Sequence, residues 1–401
     1  MSRRRFLIAA GVGGLGLCAY GYQRGIRFPT LSFEPTELSN TFQFEGYLAH
    51  TKELIVSDSF KDSKLRIRAY APEPELVIQA QRDIKLQLKV NNLAAEAKLI
   101  GGENFNVEER AQGITRHLIV SLSAGDRVDL KWTLPELNDY SFAVIGDTGG
   151  DKELKWCIQR AADLGARFLL HLGDFNYQEG DYARAIALFN SGPIPSYVSI
   201  GNHDFHDSGL LHSQFRSEIG PLNNAFAIGK TRFVNIDTAA NTLPYGAGHR
   251  GALLQSLIAS TDQYEHTVAF THRPIHDPSG NGDHDIGSLG ERDWLIEALK
   301  KIGVSTLLSG HVHIYNRGTF HGLENIIAGQ GLGHQDLIVN ADYSKMVIGS
   351  VNAAGQVIYD AATLAMPMAL HCHPRSDVVK QSLKQAAHYP LIEEIDQGCR
   401  S

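Results

Sequence analysis

The first part of the chain alternates between apolar and polar residues. Apolar side chains occupy every second position in residues 65–69, 84–90 and 128–132, and charged or polar residues fill most of the positions between them. Such alternation is typical of β-strands that bury one face and expose the other to solvent, and these strands are usually antiparallel. Several of them at short spacing predict a small all-β sandwich over residues 40–135.

The pattern changes beyond a domain boundary predicted at residues 135–139. Short apolar runs, such as residues 141–145 and 168–172, now alternate with segments of helical periodicity, such as residues 153–164. Strand–helix alternation predicts an α/β or layered αββα domain, here over residues 139–365. The fold class expected for the chain is therefore α+β, with a layered αββα domain preceded by the small sandwich.

Both ends of the chain are predicted to lie outside these domains. Residues 1–25 combine a basic start with an apolar run that is too short to span a bilayer, which is typical of an export signal. Ser2-Arg3-Arg4-x-Phe6-Leu7 resembles the twin-arginine (Tat) signal, which implies export by the Tat machinery to the periplasm or the extracellular space. An uncleaved apolar anchor and lipidation at Cys18 are the alternatives. Residues 366–401 are expected to form a C-terminal tail.

Composition narrows the classes of function. Hydrophobic residues make up 43% and charged residues 20%, which is ordinary for a globular protein and excludes wholesale disorder. The net charge of −7 excludes a broadly basic nucleic-acid-binding surface. Four cysteines in 401 residues are too few for a disulfide framework. Histidine is unusual, because 13 of the 18 histidines lie between His171 and His334, and this clustering indicates a metal site.

Five segments rich in metal-binding side chains each follow an apolar run that is predicted to be a strand. In chain order they are Gly146-Asp147-Thr148-Gly149, Gly173-Asp174-Phe175-Asn176-Tyr177, Gly201-Asn202-His203-Asp204, His272 and Gly310-His311-Val312-His313. Because α/β sheets bind ligands just beyond the carboxyl ends of their strands, these segments can deliver their side chains to one crevice. Carboxylate oxygens and imidazole nitrogens suit Zn²⁺, Mn²⁺ or iron. The glycines are expected to let the backbone turn sharply.

The order GD…GDxxY…GNHD…H…GHxH resembles that of the calcineurin-like metallophosphoesterases over residues 139–335. This resemblance implies two sheets between layers of helices and a dinuclear metal centre that hydrolyses phosphate esters. Many members carry a histidine two residues after the first Asp, where this chain has Gly149, and here Tyr177 follows Asp174 by three residues. The GDxxY pattern resembles the purple acid phosphatase branch, whose tyrosine binds ferric iron. A packed aromatic ring beside the site is the alternative for Tyr177.

Carried over by motif, the resemblance implies two sets of metal ligands that share one carboxylate. The first metal, expected to be iron, would be held by Asp147, Asp174, Tyr177 and His313. The second metal, expected to be iron, manganese or zinc, would be held by Asp174, Asn202, His272 and His311.

The resemblance also implies roles for residues around the metals. The expected reaction is hydrolysis of a phosphate ester through attack by a metal-bound hydroxide. His203, next to a ligand, is the predicted general acid for the leaving group. Asp204 is predicted to orient the ring of His203, and a cap of the local turn is the alternative. His276, His284 and Arg273 are predicted to contact the substrate, and solvent-exposed loop or surface positions are the alternatives.

The expected substrate is a small-molecule phosphate ester, and the Tyr177 pattern favours monoesters. A phosphodiesterase or nucleotidase of the same superfamily is the alternative, and a non-catalytic envelope binding protein on this fold is another. A metallo-β-lactamase-type hydrolase is excluded, because that class needs HxHxDH and His311-Val312-His313 continues with Ile314-Tyr315. Binding to nucleic acid is not expected, and neither is a stable membrane span beyond an N-terminal anchor.

Overall fold

The structure is a computed structural model, and it describes residues 40–60, 63–136, 139–204, 213–239, 248–278, 280, 284–333 and 344–366. The predicted signal segment lies outside these residues, and so does the predicted tail except for Met366. No helix in the described ranges is both long and apolar enough to cross a membrane.

The described residues form twenty-one strands and five α-helices. The strands are β1 (Thr41–Phe44), β2 (Tyr47–Lys52), β3 (Leu54–Phe60), β4 (Lys64–Ala69), β5 (Glu75–Ala80), β6 (Ile84–Asn91), β7 (Lys98–Ile100), β8 (Asn106–Gln112), β9 (Thr115–Leu122), β10 (Arg127–Thr133), β11 (Tyr140–Ile145), β12 (Leu169–His171), β13 (Ser196–Val198), β14 (Asn224–Ile228), β15 (Thr231–Asn235), β16 (His266–Phe270), β17 (Val304–Ser309), β18 (Tyr315–Phe320), β19 (Leu323–Ala328), β20 (Lys345–Val351) and β21 (Val357–Thr363). The helices are α1 (Lys152–Asp163), α2 (Asp181–Ser191), α3 (Ser213–Glu218), α4 (Gly248–Leu257) and α5 (Leu289–Lys301).

The first ten strands form a β-sandwich. One sheet has the order β1-β2-β5-β10-β7, and the other has the order β3-β4-β6-β9-β8. The apolar positions of the alternating strands meet between the sheets, where the side chain of Trp132 is fully buried. The prediction of antiparallel strands is wrong for one pair, because β4 and β6 run parallel. The chain leaves β4, adds β5 to the opposite sheet and returns, so it re-enters the second sheet in the same direction.

The remaining strands form two further sheets, which face each other. The order of the first is β13-β12-β11-β20-β21, and the order of the second is β14-β15-β16-β17-β19-β18. Aromatic side chains fill the space between them, with the rings of Phe142 and Phe233 edge to face at 5.1 Å. Helices α1 and α2 cover the outer face of the first sheet, and α4 and α5 cover that of the second. This αββα layering, preceded by an all-β region, confirms the predicted fold class. The predicted domain limits stay predictions.

Local sequence explains where the covering helices lie. Apolar residues of α1 recur at helical spacing, so Leu154, Cys157, Ile158 and Ala161 form one buried face. The side chain of Ser288 caps α5 by accepting a hydrogen bond from the backbone N–H of Glu291.

Strands β11, β12 and β13 run parallel, and so do β15, β16, β17 and β19. Their carboxyl ends therefore open at one edge of the domain, where all five motif segments lie.

Candidate metal centre

Backbone strain marks the points where the ligand segments leave their strands. Asp147, Asp174 and His311 have φ angles of 60°, 59° and 65°, a region that side-chain-bearing residues seldom adopt. Four glycines directly precede a predicted ligand, namely Gly146, Gly173, Gly201 and Gly310. Of these four, Gly173 has a positive φ, of 92°. Gly310 instead provides space, since a Cβ there would lie 2.6 Å from Asp147 Oδ2. The unusual conformation thus lies mostly on the ligands themselves, and the glycines allow close approach.

The first predicted ligand set converges on the phenol of Tyr177. Tyr177 Oη lies 3.4 Å from Asp147 Oδ1, 3.2 Å from Asp174 Oδ2 and 3.2 Å from His313 Nε2. His313 Nε2 is in turn 3.4 Å from Asp147 Oδ1. Ligand atoms about 2.0–2.2 Å from a shared ion lie about 3.0–3.5 Å from one another, so these four side chains fit one cation.

Gly149 lies beside the ring of Tyr177. A Cβ on Gly149 would lie 3.6 Å from the Tyr177 ring and 3.6 Å from Asp181 Oδ2. Residue 149 also has a φ of 63°, which glycine adopts without cost. The ring of Tyr177 therefore lies against the position where many family members carry a histidine.

The second predicted set adjoins the first through Asp174. Asp174 Oδ2 lies 3.4 Å from His272 Nε2, and His272 Nε2 lies 2.8 Å from Asn202 Oδ1. Asp174, His272 and His311 each place one ligand atom within 4.8 Å of the other two. Asp174 Oδ2 thus faces both sets, so the carboxylate of Asp174 could be shared by two ions.

The proton arrangement around His272 provides a second test of fit. Its Nδ1 lies 2.8 Å from the carbonyl oxygen of Leu172 and donates to it, which turns the lone pair of Nε2 toward Asn202 Oδ1. Burial lowers the pKa of His272, but the charge and hydrogen bond of Asp174, the charge of Asp147 and the hydrogen bond to Leu172 together outweigh burial and raise that pKa to about 9. The centre therefore favours a positive charge between these atoms, and a metal cation bound there would provide it.

The structure places His203 at the edge of this centre. Its backbone N–H donates to Asp174 Oδ1 at 2.9 Å, and its exposed ring lies 4.6 Å from the Tyr177 ring. The ring is therefore free to face a substrate while the backbone holds the bridging carboxylate. Its role as general acid stays a prediction.

Asp204 has different partners from those predicted. Its carboxylate is 2% exposed and accepts hydrogen bonds from the backbone N–H groups of Gly201, Asp174 and Phe175 at 2.7, 2.8 and 2.9 Å. These bonds join the loops after β12 and β13, and they direct the carboxylate to the backbone rather than to the ring of His203. Asp204 thus supports the loops, which favours the turn-cap alternative, and its role in orienting the ring of His203 stays a prediction.

Replacement of Asp204 by asparagine tests whether its carboxylate supports the loops after β12 and β13. An amide has only one acceptor oxygen, so at least one buried N–H loses its partner, which costs about 1–3 kcal/mol. We expect a lower free energy of unfolding in urea together with weaker Mn²⁺ binding. Full stability and full Mn²⁺ affinity of Asp204→Asn, together with a large loss of hydrolysis rate, would instead support the predicted role of Asp204 in orienting the ring of His203.

The three predicted substrate-binding residues lie in different places. Arg273 is 6% exposed, its Nη1 is 2.7 Å from His311 Nε2 and its Nε donates to the carbonyl oxygen of Ala239. It therefore contacts a predicted ligand directly. The ring of His284 lies 5.1 Å from that of His311, so it also borders the centre.

His276 lies away from the centre, against the prediction. Its ring stacks on Phe320 at 4.6 Å, and Phe320 ends β18, the strand that begins beside the centre and runs away from it. Asn325 Nδ2 of β19 donates to the backbone carbonyl oxygen of His276 at 3.3 Å, which holds this residue against the side of the sheet.

Two residues that support the centre were not predicted from the sequence. Buried His171 contacts Thr148 Oγ1 through Nε2 at 2.9 Å and accepts the backbone N–H of Gly173 through Nδ1 at 3.2 Å, so it joins the first two ligand loops. Asp181 accepts the backbone N–H groups of Tyr177 and Gln178 at 3.0 and 2.9 Å. An acidic residue at a helix start four positions after Tyr177 was the available signal for Asp181.

Comparison with known proteins agrees with this geometry. Residues 140–315 match the family described as calcineurin-like phosphoesterase. The serine/threonine-protein phosphatase CPPED1 of Mus musculus is 26% identical over 148 residues, which cover 34% of this chain and 46% of that protein. The chain thus aligns with about half the length of this curated relative.

Solved structures resemble the chain at lower identity. Purple acid phosphatase PPD1 from yellow lupin (Lupinus luteus) is 14% identical with a TM-score of 0.44, and the match covers 78% of this chain and 74% of that one. A dimetal phosphatase from Danio rerio is 15% identical with a TM-score of 0.41, over 56% of this chain and 96% of that one.

The similarity of residues 140–315 to calcineurin-like phosphoesterases agrees with the predicted superfamily and with the predicted class of metal-dependent phosphoric ester hydrolases.

Proposed function

We propose that this protein is an exported phosphoesterase with two metal ions, which hydrolyses small-molecule phosphate esters and prefers monoesters. The observation that carries the proposal is the pair of ligand sets that meet at Asp174 Oδ2, 3.2 Å from Tyr177 Oη on one side and 3.4 Å from His272 Nε2 on the other. A carboxylate that lies between two donor sets could be shared by two closely spaced cations.

Two bound cations would offset the charge of the phosphate group and make a bound water more acidic. The chain's own residues provide positioning and proton transfer. Asp147 and Asp174 hold negative charge at the centre, and Asp174 also fixes His203 by accepting its backbone N–H. The exposed ring of His203 then holds a proton for the oxygen of the leaving group.

The proposal assigns iron to the Tyr177 set. Burial and the neighbouring carboxylates of Asp147 and Asp174 raise the pKa of the Tyr177 phenol well above its usual value. A strongly charged cation such as ferric iron would offset both effects and stabilise the phenolate, a known ligand of iron.

Replacement of Tyr177 by phenylalanine tests the iron assignment. We expect iron-loaded wild-type protein to absorb visible light through charge transfer from phenolate to iron, and Tyr177→Phe to lose this band while its ring packing is kept. Iron content and the visible spectrum of both proteins are the measurements. A colourless and iron-free wild-type enzyme with full activity would refute the assignment.

The proposed preference for monoesters is tested separately. The rates of hydrolysis of an aryl phosphate monoester and the matching diester are compared on full-length protein loaded with iron, manganese or zinc. Faster monoester hydrolysis supports the proposal, whereas faster diester hydrolysis favours a phosphodiesterase and makes Tyr177 incidental. If neither ester reacts at any loading, the proposed activity is wrong and a binding function on this fold takes its place.

Export is proposed on the N-terminal sequence alone, where Arg3 and Arg4 precede an apolar run. Tat-dependent export requires the arginine pair, so we expect the wild-type protein outside the cytoplasm and the double lysine variant Arg3→Lys, Arg4→Lys inside it. Fractionation of expressing cells measures this. Equal distribution of both proteins would contradict the Tat route.

A further inference from the structure

Buried polar side chains join the β-sandwich to the phosphoesterase domain. Arg68 of β4 is 1% exposed, although it carries a charged guanidinium. Its Nη1 donates to the carbonyl oxygen of Ile219 at 2.6 Å, its Nη2 to that of Ser196 at 2.8 Å and its Nε to Asn190 Oδ1 at 3.1 Å. One side chain of the sandwich thus holds the end of α2, the start of β13 and the residue after α3.

Asn92 makes a second set of contacts with the same strand. Ser196 donates its backbone N–H to Asn92 Oδ1 at 2.8 Å, and Asn92 Nδ2 donates back to the carbonyl oxygen of Ser196 at 3.0 Å. Asn92 Nδ2 also reaches the carbonyl oxygen of Ala69 at 2.8 Å. Because β13 is an edge strand that pairs only with β12 in its sheet, the amide of Asn92 completes its free edge as a neighbouring strand would.

Strand β13 leads directly into a ligand loop. Only five residues separate Ser196 from Asn202, and the loop between them is anchored throughout. Ser199 donates its backbone N–H to the carbonyl oxygen of His171 at 2.8 Å, and Gly201 donates its own to Asp204 Oδ2 at 2.7 Å. The five residues between Ser196 and Asn202 are too few to absorb a displacement of β13, so we expect a shift at Ser196 to reach Asn202 and His203.

We propose that the β-sandwich is a positioning element of the metal centre, in which Arg68 and Asn92 fix β13 and thereby place Asn202 and His203. This inference rests on the proposed two-metal function. It predicts an asymmetry between the ligand sets, because Asp147, Asp174, Tyr177 and His313 lie on loops after β11, β12 and β17. The cation held by Asn202 should depend on the sandwich more strongly than the other cation, which the loop after β13 reaches only through the bonds of His203 and Asp204 to Asp174.

The test is Asn92→Gly in the full-length protein. Asn92 has a φ of 65°, which glycine adopts freely, so this change deletes the amide without backbone strain. Calorimetric titration of metal-stripped protein with Mn²⁺ measures both binding events, and Asn202→Ala identifies the event that belongs to Asn202. We expect Asn92→Gly to weaken that event about tenfold, the scale of losses on removal of groups that orient metal ligands. We also expect kcat for an aryl phosphate to fall by a similar factor, with KM changed less.

Arg167→Ala is the matched control. Arg167 pairs with Glu96 of the sandwich at 2.6 Å across the same interface, but on the surface and without contact to Ser196. We expect Arg167→Ala to bind Mn²⁺ with the affinities of the wild-type protein and to have the same kcat. If Asn92→Gly fails to fold, Arg68→Lys replaces it, because an ammonium group keeps the charge but cannot reach all three acceptors of the guanidinium.

Two results would overturn the inference. Asn92→Gly or Arg68→Lys with a lowered melting temperature but wild-type Mn²⁺ affinities and kcat would show that the contacts only stabilise the fold. Equal weakening of both binding events would deny the predicted asymmetry. Wild-type protein that binds none of Mn²⁺, Zn²⁺ and iron would instead refute the proposed function itself, and this inference with it.

Discussion

Replacing Asp174 with asparagine is expected to abolish metal binding at both ligand sets and to reduce hydrolysis by at least about 10³-fold, since electrostatic stabilisation is usually the largest part of catalysis. Asp174 Oδ2 is the atom that faces Tyr177 Oη and His272 Nε2 together. An amide at this position removes a negative charge from between the two cations. Metal content by mass spectrometry and the hydrolysis rate of an aryl phosphate, both on the purified variant, measure the effect.

Asp129→Asn is the control for this change. Asp129 lies on the sandwich with its side chain 65% exposed, so it loses the same charge far from the centre and should keep both metals and the full rate. An Asp174→Asn protein that retained two ions per chain would contradict the bridging role. Retention of one ion would restrict Asp174 to a single site.

His203→Ala is expected to keep both metals and lose most of the rate, by about 10²–10⁴-fold for a typical general acid. The metals should stay because the backbone N–H of His203, and not its ring, binds Asp174 Oδ1. The loss should be large for an alkyl phosphate, whose leaving group needs a proton, and small for a nitrophenyl phosphate, whose leaving group is stable as an anion.

The comparison of these two substrates makes the prediction specific to proton transfer. An equal loss on both substrates would point to substrate binding rather than to acid catalysis. Unchanged rates on both would refute any catalytic role for His203. His117→Ala, which alters an exposed histidine of the sandwich, should leave both rates and the metal content unchanged.

The sequence predicted the centre because the ligands lie at a place that topology determines. Apolar strands followed by Asp147, Asp174 and Asn202 end at one sheet edge, so their order along the chain already implies that they meet. The same logic placed His272 at the end of β16 and His311 after β17. The layered fold was predictable from strand–helix alternation, because the periodicity of apolar residues indicates which face of each element is buried.

Features that depend on packing between distant segments were not predictable in this way. His276 followed a ligand by four residues, but its ring stacks on Phe320 and its backbone is bound by Asn325, both distant in sequence. The parallel pairing of β4 with β6 depends on where β5 crosses to the other sheet, which alternation does not report. Arg68 and Ser196 are 128 residues apart in sequence, and a charged residue on a strand is normally expected to face solvent.

The two-metal account is tested most directly by titrating metal-stripped protein with Mn²⁺ while following both bound ions per chain and the hydrolysis of an aryl phosphate monoester. The account predicts little hydrolysis after the first ion, a rise with the second and a plateau at two ions per chain. Full hydrolysis by the stripped protein, or a plateau at one ion, would contradict it.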